Sequence, residues 1–286
     1  MSRTAAPRAL AVVTDSTAYL PRAELGRHGI TEVPLTVVIE GRALEDGTPE
    51  AARRLERALG RHGSVTTSRP NPEVFAACYG KLAAAGAREI VSLHLSAEIS
   101  GTRDAALLAA REASIPVRVV DTRMVAMGLG FAVLAAAAVA EAGGTAEEAE
   151  AAALERAAST RAIFCVDTLE HLRRGGRIGA ARALLGSALA VKPLLELADG
   201  RIEMLDRVRT TNRAVARLEE LVVEHAGDRP VDIAIHHLAA AERAEQLGTR
   251  LRERLNASSP PHVSEVGAVL GAHTGPGLLG AVVAPR

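Results

Sequence analysis

Tryptophan is absent from this sequence, and two tyrosines and three phenylalanines are the whole aromatic complement of its 286 residues. The usual stacking platform for single-stranded nucleic acid is therefore missing. Excess charge is missing too. The 34 basic side chains are balanced by 34 acidic ones, whereas a nucleic-acid binder carries a basic footprint. Cysteine is limited to Cys78 and Cys165, far apart and in no CxxC spacing. That excludes a disulfide framework and points to a reducing cytoplasm. Long hydrophobic runs are absent as well. Residues 124–140 are uncharged, but Gly128, Gly130 and many alanines dilute them, and a spanning helix needs about 20 strongly apolar residues. The N-terminus has no secretory apolar region.

Several chemical signatures are also lacking. There is no HExxH or CxxC to hold a metal, no GxxxxGK[ST] or properly placed GxGxxG for a nucleotide, and no GxSxG nucleophile elbow. The expectation is a protein with no metal and no cofactor. Lysine is confined to Lys81 and Lys192 among many arginines, and no role is assigned to Lys192.

What remains is apolar and regular. With 48% hydrophobic and 24% charged residues, the chain can bury a full core and is not disordered. Residues 9–15, 33–39, 89–95 and 117–121 are apolar runs, most ending in a polar cluster that precedes a helical pattern. Repeated strand, turn and helix is the signature of an α/β domain with a parallel sheet. Beyond the helix at 147–159 the grammar changes. Strands are expected over 163–167, 191–197, 202–208, 232–236, 263–270 and 278–283, with helices over 212–224 and 241–255. Asp199–Gly200 separates two apolar runs and signals a hairpin. The division is placed near residue 158. Residues 1–158 form an N-terminal parallel-sheet α/β domain, and residues 159–286 form a C-terminal mixed-sheet α/β domain.

Ligands of open α/β sheets bind beyond the carboxyl ends of strands, so the polar clusters there are the candidates. Asp15–Ser16–Thr17 either caps a helix or lets Asp15 hold a metal or orient a catalytic group. Thr66 to Pro72 puts three hydroxyls before two prolines, which push Arg69 and Asn71 out of the helical region. This is either a donor-rich site or a capped helix entry. Ser100–Gly101–Thr102 opens a helix where hydroxyls and free backbone N–H groups converge on an anion, or simply cap it. Residues 271–277, read as a glycine-rich turn between two strands, would present His273 and backbone donors to an anion. Arg173, Arg174 and Arg177 around Gly175–Gly176 suit phosphate or carboxylate recognition, a basic helix end, or both.

Taken in order, these pieces resemble the DegV family of bacterial fatty-acid-binding proteins. The resemblance runs through ValThrAspSerThr (13–17), Asp46–Gly47, ThrSerArgProAsn (67–71), SerGlyThr (100–102), GlyGlyArgIle (175–178), LysPro (192–193), AspGly (199–200) and HisThrGlyProGly (273–277). Arg69 and Asn71 stand where the family usually has Gln and Ser, and Thr122 where Ser is usual. The resemblance implies a two-domain DegV-like α/β fold that binds one long-chain fatty acid between its domains. It implies that Thr67, Ser68, Ser100, Gly101, Thr102, His273, Thr274 and Gly275 hold the carboxylate, with the C-terminal domain as the lipid-binding one. It further implies a carrier that is not itself an enzyme, which presents the carboxylate to an ATP-dependent fatty acid kinase subunit. The acyl phosphate so formed feeds phospholipid synthesis, and transient contact with a membrane surface is compatible with that role. Arg173, Arg177 and Arg209 are the candidates for headgroup surroundings or kinase docking. The competing reading is an enzyme acting on a small carboxylate or phosphate, with Ser100 as nucleophile and His273 as base.

Overall fold

A computed structural model describes residues 9–68, 70–179, 181 and 191–286. Strand β1 (Leu10–Asp15) leads through a short 3-10 turn into helix α1 (Arg22–His28) and strand β2 (Thr31–Val33). Strands β3 (Thr36–Ile39) and β4 (Arg42–Glu45), helix α2 (Pro49–Gly60) and strand β5 (Val65–Thr67) follow. Next come α3 (Pro72–Ala84), β6 (Glu89–His94), α4 (Thr102–Arg111), β7 (Val117–Asp121), α5 (Met127–Glu141) and α6 (Ala146–Ser159). The remainder is β8 (Arg161–Cys165), α7 (Glu170–Arg174), β9 (Lys192–Ala198), β10 (Arg201–Val208), α8 (Thr211–Ala226), β11 (Val231–His237), α9 (Ala241–Arg254), β12 (His262–Glu265), α10 (Ala268–Thr274) and β13 (Leu279–Pro285).

Two compact units result, and the chain passes between them more than once. Met1–Pro34, Arg69–Val125 and Leu129–Ala158 make the first, while Leu35–Ser68, Ala126–Gly128 and Ser159–Arg286 make the second. The division at residue 158 expected from the sequence had assigned 35–68 and 126–128 to the first unit; they pack with the second.

The first unit holds a sheet in the order β2-β1-β6-β7, and every pairing in it is parallel. Its continuous apolar strands suit burial on both faces. Val13 and Ile90 pack with Phe75 and Tyr79 of α3 and with Ala105, Ala106 and Ala109 of α4. Under this packing lies a buried polar chain. Asp15 Oδ1 accepts the Thr17 N–H, and Oδ2 accepts the Leu95 N–H at 3.1 Å and meets His94 Nδ1 at 3.0 Å. His94 Nε2 lies 2.8 Å from Ser92 Oγ, to which Tyr79 donates. Asp15, Ser92 and His94 are fully buried, so the carboxylate reads as a cap and a strand-end tie, its oxygens filled by the protein itself.

The second unit holds two sheets. The larger runs β10-β9-β8-β13-β11-β12. All its pairings are antiparallel except β11 with β12, so it is mixed. The turn at Asp199–Gly200 closes the β9–β10 hairpin, with Ala198 opposite Arg201. Helices α8 and α9 cover one face, where Leu218, Leu221, Leu247 and Leu251 meet Ile163, Leu194, Ile235 and Leu279. The smaller sheet, β4-β3-β5, is antiparallel.

Two expected strands are corrected. The run 33–39 is two strands in different sheets, broken at Pro34, which has no N–H for a ladder. The run 263–270 is strand only to Glu265, and residues 268–274 form α10. A short apolar run fits a buried helix as well as a strand. The helix is chosen by a distant cap: Asp46 Oδ1 accepts the N–H of Val269 at 3.0 Å. Among the described residues, no helix is long and apolar enough to cross a membrane, and no cluster of His, Cys, Asp or Glu is placed to hold a metal. Both cysteines are free, and burial pushes each thiol up to about 11.

Candidate functional site

The second unit gathers its candidate residues around α10. This helix packs against α2, α7, β3 and β5. Because 268–274 is helical, His273 sits on the last helical turn and not in a loop between strands as expected. The helix end at Gly275 has φ 72°, a left-handed conformation that glycine adopts without penalty. Thr274 donates its hydroxyl to Leu270 O within the helix, so that side chain serves the helix end.

Strand β5 brings Thr67 to His273. Thr67 Oγ1 and His273 Nε2 are 2.9 Å apart, although 206 positions separate them in the chain. His273 Nδ1 is buried and finds no partner among the described residues. A buried N–H without an acceptor is rarer and costlier than an idle lone pair. The ring proton therefore belongs on Nε2, which donates to Thr67 Oγ1. The Thr67 hydroxyl proton is then free to be given to a ligand. Burial, with Arg177 adding a like charge, pushes the imidazole down to about 4, so it is neutral at pH 7. Ser68, the next residue, is exposed and uses its N–H on Thr36 O.

A pocket of about 510 Å³ opens beside this pair. Its lining includes Thr66 and Thr67, His62, His171, His273, Arg174 and Arg177. Two glycines make the close packing around it possible. A Cβ on Gly175 would overlap the His273 ring at Nδ1, and a Cβ on Gly275 would overlap the His171 ring. Helix α7 with its Gly175 cap and the HisThrGlyProGly segment are thus interlocked: His273 lies against Gly175, and His171 against Gly275. His171, half-buried and near Arg174, has its pKa lowered, chiefly by desolvation.

Of the two readings given from the sequence for the arginine cluster, the helix end is the one the structure describes. Gly175 caps α7, whose last turn holds His171, Arg173 and Arg174. Arg173 is exposed and holds Glu170 through two hydrogen bonds, and Arg174 shares the same carboxylate. Arg177 lines the pocket and donates to Gly175 O at 2.6 Å. Arg209 is exposed just past β10. Lys192 is tied to Asp167, Nζ to Oδ1 at 2.7 Å. Arg69 lies outside the described residues, whereas Asn71 caps α3 by accepting the Glu73 N–H.

Ser100, Gly101 and Thr102 belong to the first unit. Gly101 is the N-cap position of α4. Ser100 Oγ accepts the Thr102 N–H at 3.3 Å and meets Thr102 Oγ1 at 2.8 Å. The hydroxyl partners of Ser100 and of His273 are thus Thr102 and Thr67, each inside its own unit. His62 and His171 were not candidates from the sequence. His171 does lie in the same segment as Arg173, Arg174 and Arg177, whose helix end was the available signal.

Comparison with known proteins follows this geometry. The model of "Uncharacterised protein, DegV family" matches residues 9–286. A DegV domain-containing protein of Streptomyces coelicolor is 65% identical over 279 residues, covering 98% of this chain and 99% of its own length. The structure of a fatty-acid-binding DegV family protein from Thermus thermophilus superposes with a TM-score of 0.90 at 35% identity, covering 98% of this chain and 100% of that one. DegV, a fatty acid binding protein from Bacillus subtilis, gives a TM-score of 0.87 at 32% identity with coverage of 98% and 100%. The matched length, the α/β fold and the ordered motifs agree, and the chain belongs to the DegV family.

Proposed function

We propose that this protein binds one long-chain fatty acid and presents its carboxylate to a partner ATP-dependent kinase for acyl-phosphate formation. The observation that carries the reading is the Thr67–His273 pair. Burying a carboxylate is expensive unless it is hydrogen-bonded. A threonine hydroxyl whose oxygen is already filled by a neutral imidazole is a donor aimed outward. Ser100 is the proposed second hydroxyl donor. The Thermus thermophilus and Bacillus subtilis structures, both of fatty-acid-binding proteins, support the ligand class. An acyl chain gains about 0.8 kcal/mol for each CH₂ taken from water. With so few aromatics in the sequence, its lining must be aliphatic.

The test is native mass spectrometry of protein purified from cells. A co-purifying mass in the long-chain fatty-acid range, removable by organic extraction, is the expected result. Delipidated protein that gains no thermal stability from oleate or palmitate would overturn the reading. Thr67→Ala combined with His273→Ala should weaken retention while the protein stays folded. Unchanged retention in that variant would move the carboxylate elsewhere.

A further inference from the structure

We infer that Asp15 and His94 are positioning residues for ligand binding: through the backbone of residues 95–100 they fix the Ser100 hydroxyl. The ligand rests on the carrier reading, while the device itself rests on hydrogen bonds within the first unit.

Asp15 ends β1 and His94 ends β6, neighbouring strands of the parallel sheet. Both side chains are fully buried, and a carboxylate out of water must be filled by donors. Thr17 gives Oδ1 its N–H and its hydroxyl, while the Leu95 N–H and His94 Nδ1 fill Oδ2. Nδ1 therefore carries the ring proton. Nε2 then accepts the Ser92 hydroxyl, whose oxygen takes the Tyr79 proton. The chain from Tyr79 to Asp15 runs one way, and each bond polarises the next.

Every backbone N–H from Leu95 to Ser100 is committed. Leu95 uses Asp15, Ser96 uses Met124 O, Ala97 uses Asp121 Oδ1 and Glu98 uses Ser96 Oγ. Ile99 and Ser100 both use Ser96 O, at 3.2 and 3.1 Å. Asp15 alone among these acceptors is a fully buried carboxylate, and it is itself held by His94. A shift of Leu95 moves Ser96 O, and Ser100 with it.

At the far end, Ser100 Oγ accepts the Thr102 N–H and lies 2.8 Å from Thr102 Oγ1. Thr102 is fully buried, and its hydroxyl has no other partner among the described residues. A buried hydroxyl proton without an acceptor is costly, so Thr102 donates and Ser100 accepts. The Ser100 proton is left for a ligand. Such a donor is useful only while its backbone is held in place by residues behind it.

The test uses delipidated full-length protein, with oleate affinity measured by calorimetry in wild type, Asp15→Asn, His94→Gln and His94→Asn. Glutamine puts its N–H where Nε2 stands and leaves Asp15 without that donor. Asparagine puts one where Nδ1 stands and restores it. Asp15→Asn and His94→Gln should each weaken oleate binding about tenfold, the worth of one hydrogen bond, and His94→Asn should recover most of the loss. Val33→Ala, a cavity in the same sheet, should lower the melting temperature and leave affinity alone. In a Ser100→Ala background, Asp15→Asn should add less than about a twofold loss. Unchanged affinity in Asp15→Asn and His94→Gln, an equal loss in Val33→Ala, or full multiplication with Ser100→Ala overturns the inference. Hydrogen exchange of the ligand-free variants is the second readout. Exchange faster across 95–100 in Asp15→Asn and His94→Gln than in Val33→Ala supports the device, and exchange matching that control overturns it. If wild type binds no oleate, the carrier reading falls and hydrogen exchange still decides the positioning.

Discussion

The imidazole of His273 rests against the α-carbon of Gly175, so closely that no side chain fits there. Gly175 has φ −74° and ψ −9°, a backbone that alanine adopts freely. The requirement for glycine is therefore purely the ring. Gly175→Ala should destabilise by about 1–3 kcal/mol through overpacking and should weaken fatty-acid retention by displacing His273 from Thr67. In a His273→Ala background the same change should have almost no effect on stability. A double-mutant cycle by urea denaturation measures this coupling, and additive effects would show that the two residues do not meet.

Asp46 acts at the other end of the same helix. It caps α10 from the loop after β4, while Thr67 at the end of β5 meets His273 on the last turn. One small sheet thus grips the helix at both ends. Asp46→Ala should cost about 1–2 kcal/mol, as loss of a cap does, and should loosen ligand retention although Asp46 is not proposed to touch ligand. Asp46→Asn keeps an acceptor oxygen and should recover most of both. Thermal melts and retention assays on the two variants are the check.

His236 is fully buried. Its Nε2 accepts the N–H of Met127 at 3.1 Å, which puts the ring proton on Nδ1, facing Ser264 Oγ. Desolvation pushes it from 6.5 down to about 3, and His273 shifts the same way to about 4. The unfolded chain takes up these protons near pH 6.5, but the folded chain does so only at much lower pH. Stability is therefore whole above pH 6.5 and declines as pH falls toward 4, by roughly 3 kcal/mol for each such group. His236→Gln should flatten that acid limb while lowering stability at pH 7. A melting temperature independent of pH from 7 to 4 in wild type would contradict the assignment.

Arg173 and Arg209 are exposed and line no part of the pocket. On the carrier reading they are surface charges for the kinase. Charge reversal at both should reduce acyl-phosphate formation severalfold with the kinase present, and co-purified lipid should be unchanged. Loss of lipid instead would make them part of the fatty-acid site.

Elements with a local cause could be read from the sequence directly. Asp199–Gly200 is the hairpin turn it signals, and 117–121 is a strand with those limits because apolar alternation and its polar ending are contained in the segment. Asn71 as a cap is equally local. Where the cause is distant the reading failed. Nothing near residues 266–270 says helix, because the cap at Asp46 is 223 positions from Val269. Strands β3, β4 and β5 are three or four residues long, too short for periodicity to declare them. For the site, Thr67 and His273 stood out as separate polar clusters, and only folding makes them a pair. His171 was hidden because its neighbours' charges dominate the segment.

Strand β13 lies in the middle of the larger sheet, with β8 on one side and β11 on the other, and α10 precedes it directly. During synthesis these are the last elements of the second unit to emerge. Residues 35–68 appear early but must wait for α10, more than 200 positions later, before Asp46 and Thr67 have anything to hold. At about 5–20 residues per second that is a delay on the order of ten seconds or more. The small sheet spends that time without its helix, its apolar strands open to the wrong neighbours. A chain that ended before residue 268 would lack α10, and with it His273 and its contact with Thr67.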